Sequence, residues 1–295
     1  MSGRNIERLK EIRDCVDKFG IKETAFYFEM SEESVKRRLR DLRKYKEGLH
    51  TSPRKRRHKP QTRGASPILI LPDLHAPYHH PDALEFLAWV HETRGCADRV
   101  VSVGDLYDFH SMSRHISETD AMNAEKEYAK AMEFVSDLTD LFPEGDLVLG
   151  NHDLIPQRQM KELGLISTLL KESNEMYGLP EGWSIHPHYH VIEPFDVLVE
   201  HGMGSGGKYG CSNTAINKRC SYVQGHTHSA AAVIYHQNHN SLIFGMNVGC
   251  LVDSSSLAMR YGKYGTRKGV LGCGVVYSGE HAEFIPMSSW KNSEG

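Results

Sequence analysis

Residues 68–75 read ILILPDLH, a run of four apolar residues that is followed by an aspartate and a histidine. A short, continuous apolar run indicates a strand that is buried on both faces. The same arrangement recurs in VVSVGDLYD at 100–108 and in LVLGNHD at 147–153, where polar residues again follow the apolar run. Ligands of open α/β sheets bind beyond the carboxyl ends of the strands, so we expect these polar side chains to gather at one edge of a sheet.

Helical and strand patterns alternate around these segments. Amphipathic patterns predict helices over 82–93 and 121–141, and short apolar runs dominate the chain after residue 184. Alternating strands and helices followed by further strands indicate an α/β domain built around a sandwich of two sheets. The 295 residues suffice for one large domain, or for a medium domain with a small one.

Two later segments place histidines after apolar runs: VLVEHG at 197–202 and VQGHTH at 223–228. The D-x-H and H-T-H motifs each hold two side chains spaced two residues apart, so on extended backbone both members of a pair point to the same side. A mixed set of carboxylate and imidazole ligands suits manganese, iron or zinc better than magnesium or calcium, which prefer oxygen. The sequence therefore predicts a metal site.

Taken in order, the motifs D-x-H, G-D-x-x-D, G-N-H-D, H-G and G-H-T-H resemble those of the calcineurin-like metallophosphoesterase superfamily over roughly residues 67–290. The resemblance implies a β-sandwich flanked by helices and a centre of two divalent metal ions, with manganese as the first choice and iron or zinc as alternatives. It implies that Asp105 bridges the two ions. The ligands implied for the first ion are Asp73, His75 and His228, and those implied for the second are Asn151, His201 and His226.

The resemblance also implies a mechanism for the hydrolysis of phosphoric esters. A hydroxide that bridges the two metals attacks phosphorus in line. His152, which is not a ligand, stabilises the transition state or protonates the leaving oxygen, and Asp108 sets the tautomer and charge of that histidine. Asp153 is expected to support the loop.

The motifs depart from those of the phosphoprotein phosphatases in the same superfamily. Those enzymes follow G-D-x-x-D with Arg-Gly and have glutamate after G-N-H, whereas this chain has Phe109, His110 and Asp153. Loss of the arginine removes a bidentate clamp suited to a phosphate monoester, and GDLYD is more similar to the Mre11/SbcD-type phosphodiesterases. Three other arginines could take over the clamp: Arg114, Arg158 and Arg219.

The charge is divided unevenly along the chain. The whole chain has a formal charge of -3, but residues 1–66 carry 19 basic and 10 acidic residues, and residues 67–295 carry 16 and 28. The segment 48–66 is basic, has no acidic residue and lacks apolar periodicity, so it predicts a flexible linker. We therefore expect three parts: residues 1–47, the linker 48–66 and a metallophosphoesterase domain at 67–295.

Three helices are predicted before the linker, over 6–18, 21–28 and 32–45, and KETAFYFEMSEESVKRRLR at 22–40 resembles the helix-turn-helix of bacterial and phage regulators. The alternative is a small three-helix bundle with a solvated charged face. The resemblance implies a DNA-binding domain; a dimer is compatible with it, and the oligomeric state stays open. The residues expected to contact DNA, in this domain and in the linker, are Lys36, Arg37, Arg38, Arg40, Arg43, Lys44, Arg54, Lys55, Arg56 and Arg57.

These features together predict a two-metal phosphodiesterase or nuclease that acts on DNA. Two alternatives stay open: a phosphomonoesterase for phosphoproteins or nucleotides, and a DNA-binding regulator whose phosphoesterase domain is a scaffold. The sequence has no apolar stretch of about 20 residues and no signal-peptide pattern at its start. We therefore expect a cytoplasmic protein with no membrane partner.

Three further histidines, His186, His188 and His190, alternate along a predicted strand, so we expect them to share one face. A third metal site is one interpretation of this pattern. Solvent-facing or substrate-side positions are the more common outcome for histidines of this kind.

Overall fold

The computed structural model describes residues 3–28, 30–32, 34–36, 38–39, 65–113, 122–165, 173–253 and 268–291. Contacts between residues divide the chain into two compact units, residues 1–61 and 62–295. Each unit is described by itself below.

The first unit contains two consecutive helices, α1 (Gly3–Phe19) and α2 (Ile21–Tyr27). Gly20 joins them with a φ of 86°, a left-handed backbone angle that glycine adopts at no steric cost. Ile12, Ala25 and Val35 are buried together and form the core of this unit. Of the predicted helix 32–45, the described residues are helical up to 39, and residues 40–45 lie outside the described part. A helix-turn-helix stays a prediction.

The second unit contains two mixed β-sheets. The first sheet has six strands in the order β11-β10-β1-β2-β3-β4, and β1 to β4 run parallel to one another. The second has five strands in the order β5-β6-β7-β9-β8. The strands are β1 (Ile68–Leu71), β2 (Arg99–Ser102), β3 (Glu144–Val148), β4 (Trp183–His186), β5 (His190–Ile192), β6 (Val197–Val199), β7 (Tyr222–Gln224), β8 (Ala231–Gln237), β9 (Leu242–Val248), β10 (Gly272–Ser278) and β11 (His281–Pro286).

Helices lie beside both sheets. The helices of this unit are α3 (Ala83–Arg94), α4 (Ala124–Leu141), α5 (Ile155–Glu162), α6 (Ser173–Met176), α7 (Gly210–Lys218) and α8 (Met287–Lys291), with a 3-10 turn at His110–Met112. Local sequence explains where two of them begin or end. Asn123 caps α4 by accepting a hydrogen bond from the Lys126 amide at 2.8 Å, and Gly95 ends α3 in the left-handed conformation.

The apolar run of β1 packs on both of its faces, as its pattern predicts. Leu69 and Leu71 are buried against the helices α3 and α4, whereas Ile70 is buried between the two sheets, in one cluster with Val223 and Phe244. The order of layers is therefore helices, first sheet and second sheet, with α7 packed on the outer face of the second sheet. The predicted α/β sandwich flanked by helices is confirmed.

The three alternating histidines do not lie on one strand, so this prediction is wrong. His186 is the last residue of β4 in the first sheet, and His190 is the first residue of β5 in the second sheet. Pro187 follows His186 and cannot donate a hydrogen bond to a neighbouring strand, which explains why β4 ends there. His188 is exposed in the connection between the two strands.

Among the described residues, no helix combines the length and the apolar character that a membrane span requires.

Candidate metal centre

The turns that follow five strands carry the predicted site residues. The parallel strands β1, β2 and β3 end at the same edge of the first sheet, and β6 and β7 are likewise parallel in the second. The structure brings together every residue that the sequence predicted as a metal ligand or catalytic group, namely Asp73, His75, Asp105, Asp108, Asn151, His152, His201, His226 and His228.

Several of these residues adopt the left-handed backbone conformation. The φ angles are 50° at His75, 49° at Asp105 and 64° at His226. Residues other than glycine adopt this left-handed conformation at a cost of about 1 kcal/mol or more. The spacing of D-x-H and H-T-H predicted that the two side chains of each pair converge by alternation on extended backbone. The left-handed φ angles show that they do not. A left-handed turn in each loop directs them instead, and packing around the loops must offset the strain.

The first cluster consists of Asp73, His75 and His228. His228 Nε2 lies 2.9 Å from Asp73 Oδ2 and 3.3 Å from His75 Nε2. The other ring nitrogen of His75, Nδ1, lies 2.8 Å from Asp108 Oδ1, to which it donates a hydrogen bond. The Nε2 lone pair of His75 therefore points towards the other two side chains.

The second cluster is centred on His201. Its Nε2 atom lies 3.0 Å from Asn151 Oδ1, 3.2 Å from Asp105 Oδ2 and 3.3 Å from His226 Nδ1. Its Nδ1 atom lies 3.0 Å from the Val103 carbonyl oxygen, which can only accept a hydrogen bond. In the neutral ring, the proton of His201 is therefore on Nδ1, and Nε2 offers its lone pair to a metal ion.

Asp105 lies between the two clusters. Its Oδ2 atom is 3.2 Å from His201 Nε2 and 3.5 Å from His75 Nε2, so one oxygen faces a histidine of each cluster. The other oxygen accepts a hydrogen bond from the His152 amide at 2.8 Å. Gly150 makes this approach feasible, because a Cβ atom at that position would come within 2.1 Å of Asp105 Oδ1. Asp105 has the position that a bridging ligand requires.

The sequence model of the calcineurin-like phosphoesterase family matches residues 66–237 of the chain. The chain belongs to this family. No curated protein matches the chain. Family membership and the clustered ligands together identify a metal-dependent hydrolase of phosphoric esters.

The side chains of this phosphoesterase fit the metal ions that its family implies. Asp73 Oδ1 is buried and has no hydrogen-bond partner in the described part of the chain, which is costly for a carboxylate unless a cation is bound. The two clusters combine carboxylate, amide and imidazole donors, a set that suits divalent ions such as manganese, iron or zinc. The described side chains therefore provide suitable ligands for two metal ions that share Asp105.

The charge of Asp105 controls protonation in the centre. Burial alone would lower the pKa of His201, but the negative charge of Asp105 outweighs it and raises that pKa to about 10. The pKa of Asp105 is lowered, because the nearby histidines outweigh the effect of its burial. Without metal, His201 therefore carries a second ring proton at neutral pH, so metal binding at this residue displaces a proton.

Asp108 contacts two histidines rather than one. Its Oδ1 atom lies 2.9 Å from His152 Nδ1 and 2.8 Å from His75 Nδ1, and its backbone oxygen lies 2.8 Å from the same atom of His152. Burial would lower the pKa of His152, but the hydrogen bond to Asp108 and the charge of Asp105 raise it to about 9. The sequence predicted the contact with His152 and missed the contact with His75, which no spacing in the motif signals.

Asp153 fastens two of the loops to each other. Its carboxylate is fully buried and accepts backbone hydrogen bonds from Asp105 and Gly150 at 2.8 Å and from Tyr107 at 3.0 Å. Burial and the charge of Asp105 raise its pKa to about 6. Through these three hydrogen bonds, Asp153 supports the loop, as expected from the sequence.

The two clusters open into a cavity of about 380 Å³. Its lining includes three residues that are not among the predicted metal ligands and catalytic groups: Gly206, Thr227 and Ser229. Gly206 belongs to the glycine-rich segment that follows His201, and the two hydroxyl residues flank His228. Among the described residues, the lining contains no lysine or arginine.

The basic residues predicted to contact DNA are described only in part. Lys36 is exposed in the first unit, and Arg38 is half-buried with its guanidinium Nη1 2.9 Å from Met30 Sδ. The others lie outside the described residues: Arg37, Arg40, Arg43, Lys44, Arg54, Lys55, Arg56 and Arg57.

Proposed function

We propose that the protein is a two-metal phosphodiesterase that cleaves DNA. The observation that carries this proposal is Asp105 between two ligand clusters, beside a cavity whose described lining has no lysine or arginine. A phosphate monoester carries two negative charges and benefits from a guanidinium clamp, whereas a diester carries one. The absence of such a clamp from the described lining favours the diester.

Two sets of side chains would hold the ions, with manganese as the first choice. Asp73, His75 and His228 would hold one, Asn151, His201 and His226 the other, and Asp105 both. When bound, the two ions supply the positive charge that holds a phosphate and lower the pKa of water so that it can attack phosphorus.

His152 would donate the proton to the leaving oxygen. Its Nδ1–H is held by the carboxylate and the backbone oxygen of Asp108, which leaves Nε2 to face the cavity. In the metal-free protein the hydrogen bond to Asp108 and the charge of Asp105 outweigh burial and raise the pKa of this ring to about 9, and the contact with Asp108 would remain when metal ions are bound. A protonated group beside the reacting phosphate can neutralise the charge that develops on the leaving oxygen.

The first unit and the linker would bring DNA to the site. Residues 1–66 have a formal charge of +9, from 19 basic and 10 acidic residues, whereas residues 67–295 have a charge of -12. An acidic catalytic domain repels nucleic acid, and a basic segment attracts the phosphate backbone whatever its sequence. A helix-turn-helix would add recognition in the major groove.

A nuclease assay with added manganese on linear, nicked and single-stranded DNA and on RNA tests this proposal. We expect DNA cleavage that falls at least about 100-fold in His152→Ala. His188→Ala is the matched control, because His188 is exposed and lies outside the candidate centre. Failure of the wild-type protein to cut any of the four substrates would refute the proposal.

One observation favours a phosphomonoesterase as a second candidate. Arg158 is exposed and donates a hydrogen bond from Nη2 to the backbone oxygen of Asn151, so its guanidinium lies next to a proposed metal ligand. If it clamps a monoester, an aryl phosphate monoester should be hydrolysed faster than an aryl diester, and Arg158→Ala should reverse that preference. If the diester is hydrolysed faster and Arg158→Ala changes neither rate, the second candidate is wrong.

A further inference from the structure

A second group of metal-ligating side chains lies outside the candidate centre. It consists of Asp146, on β3, with His186 and His190. His186 ends β4 of the first sheet and His190 begins β5 of the second, so the group connects the two sheets. Asp146 pairs with Ser184 within the parallel ladder, and His186 pairs with Val148 at its end.

The three side chains are close enough to share one ion. His186 Nε2 lies 2.7 Å from Asp146 Oδ1, and His190 Nε2 lies 3.7 Å from Asp146 Oδ2. One ligand atom of each residue lies within 4.8 Å of the others. Ligands of a tetrahedral zinc ion are separated by about 3.3 Å, given metal–ligand bonds of about 2.0 Å. Small side-chain movements would therefore produce that geometry.

Arg99 already contacts the carboxylate of Asp146 but leaves room for a cation. Its Nε atom is 2.7 Å from Oδ2 and its Nη2 atom 3.1 Å from Oδ1. An ionised carboxylate has about four acceptor positions, so these two bonds and the one to His186 do not exhaust it. Glu144 Oε2 lies 3.8 Å from Arg99 Nη1 and adds a second negative charge. The net charge of Arg99, Asp146 and Glu144 is therefore negative.

The group is buried on the side of its carboxylate and open to solvent on the side of its histidines. The side chain of Asp146 is 5% exposed. The side chains of His186 and His190 are 28% and 19% exposed, so an ion can reach them from solvent.

We propose that Asp146, His186 and His190 bind one zinc ion that ties the two sheets together at this edge. One carboxylate and two imidazoles are a donor set that zinc favours, and three protein ligands leave a fourth position for water. The group shares no residue with the candidate centre, and its ligands come from strands of both sheets, so the bound ion would cross-link the two sheets. The site stands independently of the proposed nuclease activity.

Zinc content measured after equilibrium dialysis of the full chain tests this site. His186→Gln and His190→Gln retain a side chain that can hydrogen-bond to Asp146, while the amide is a poor zinc ligand. We expect each variant to bind one zinc ion per chain fewer than the wild type, with hydrolysis of an aryl phosphodiester within twofold of wild type. The matched control is His188→Ala, which should bind as much zinc as the wild type, because His188 is exposed in the adjacent connection.

A thermal unfolding measurement on the same proteins supplies a second test. Excess zinc should raise the unfolding midpoint of the wild type by several degrees more than that of either glutamine variant, because only the wild type gains the additional ion. Equal zinc contents in the wild type and the glutamine variants would overturn the site. An equal rise in the unfolding midpoints of the wild type and both glutamine variants would also overturn the site.

Discussion

At the scale of single residues, the centre depends on side chains that each serve more than one partner. Asp105 faces a histidine from each ligand cluster, and Asp108 holds both His75 and His152 through their Nδ1 atoms. A carboxylate behind a ligating histidine fixes its tautomer and raises its basicity. The same carboxylate also contacts His152, so we expect metal binding and proton transfer to be coupled through Asp108.

This coupling predicts different defects in two variants. Asp108→Asn should lower both the metal content and kcat, because it weakens the orientation of His75 as well as the charge of His152. His152→Ala should lower kcat alone, by about 100-fold, and leave the metal content unchanged. Elemental analysis after dialysis, together with steady-state kinetics on an aryl diester, measures both quantities.

Asp137→Asn is the matched control for this pair, because Asp137 is exposed on α4 and belongs neither to a ligand cluster nor to the lining of the cavity. It should match the wild type in both measurements. Full metal content in Asp108→Asn would show that Asp108 does not support the ligand His75.

At the scale of secondary-structure elements, the strands and the polar residues that follow them were predictable from the sequence. The backbone conformation of the turns was not. Apolar runs that end in polar residues placed β1, β2 and β3 and the residues after them, because buried parallel strands need such runs. The left-handed φ angles of His75 and His226 were not predictable, because histidine is enriched in that conformation but only a few per cent of non-glycine residues adopt it. Pro187 is the sequence signal that places His186 and His190 on two different strands. The alternation of the three histidines was instead interpreted as the periodicity of one strand.

The packing of α4 beside the loop after β1 predicts a pH effect on stability. His79 stacks on Phe134 of α4, with ring centroids 3.6 Å apart, and its Nδ1 atom is buried without a hydrogen-bond partner in the described part of the chain. Burial lowers its pKa to about 4. The unfolded chain then binds a proton near pH 6.5 that the folded chain takes up only near pH 4, so stability is lost as the pH falls through this window.

His79→Phe should remove this effect and keep the stacking. Between pH 7 and pH 5 the wild type should lose about 2 kcal/mol more of unfolding free energy than the variant. Urea denaturation at both pH values measures the difference. Equal losses would mean that His79 is not held neutral by its packing on Phe134.

At the scale of the whole molecule, the division of charge is the basis of the DNA proposal. Residues 1–66 are basic and residues 67–295 are acidic, a division that the total charge of -3 conceals. Composition alone was enough to find it. The target of the basic segment was not predictable in the same way, because phosphate attraction is independent of nucleotide sequence and any groove contacts depend on side-chain positions.

Replacement of the four consecutive basic residues 54–57 by glutamine in the full chain tests this division. Each phosphate contact contributes a slope of about -0.9 to the dependence of log binding constant on log salt concentration. We expect the slope to become shallower by up to about 3.6, while the rate on an aryl diester stays unchanged. Fluorescence anisotropy across a salt series gives the slope. An unchanged slope would exclude this segment as a DNA contact.

We propose that two divalent ions shared by Asp105 drive diester hydrolysis. Metal removal with a chelator, followed by stepwise addition of manganese, tests this proposal when hydrolysis of an aryl phosphodiester is measured at each step. We expect the stripped protein to be inactive, its activity to return as the second equivalent of manganese binds, and Asp105→Asn to stay inactive throughout. Diester hydrolysis that survives chelation, or that Asp105→Asn retains, would refute the proposal.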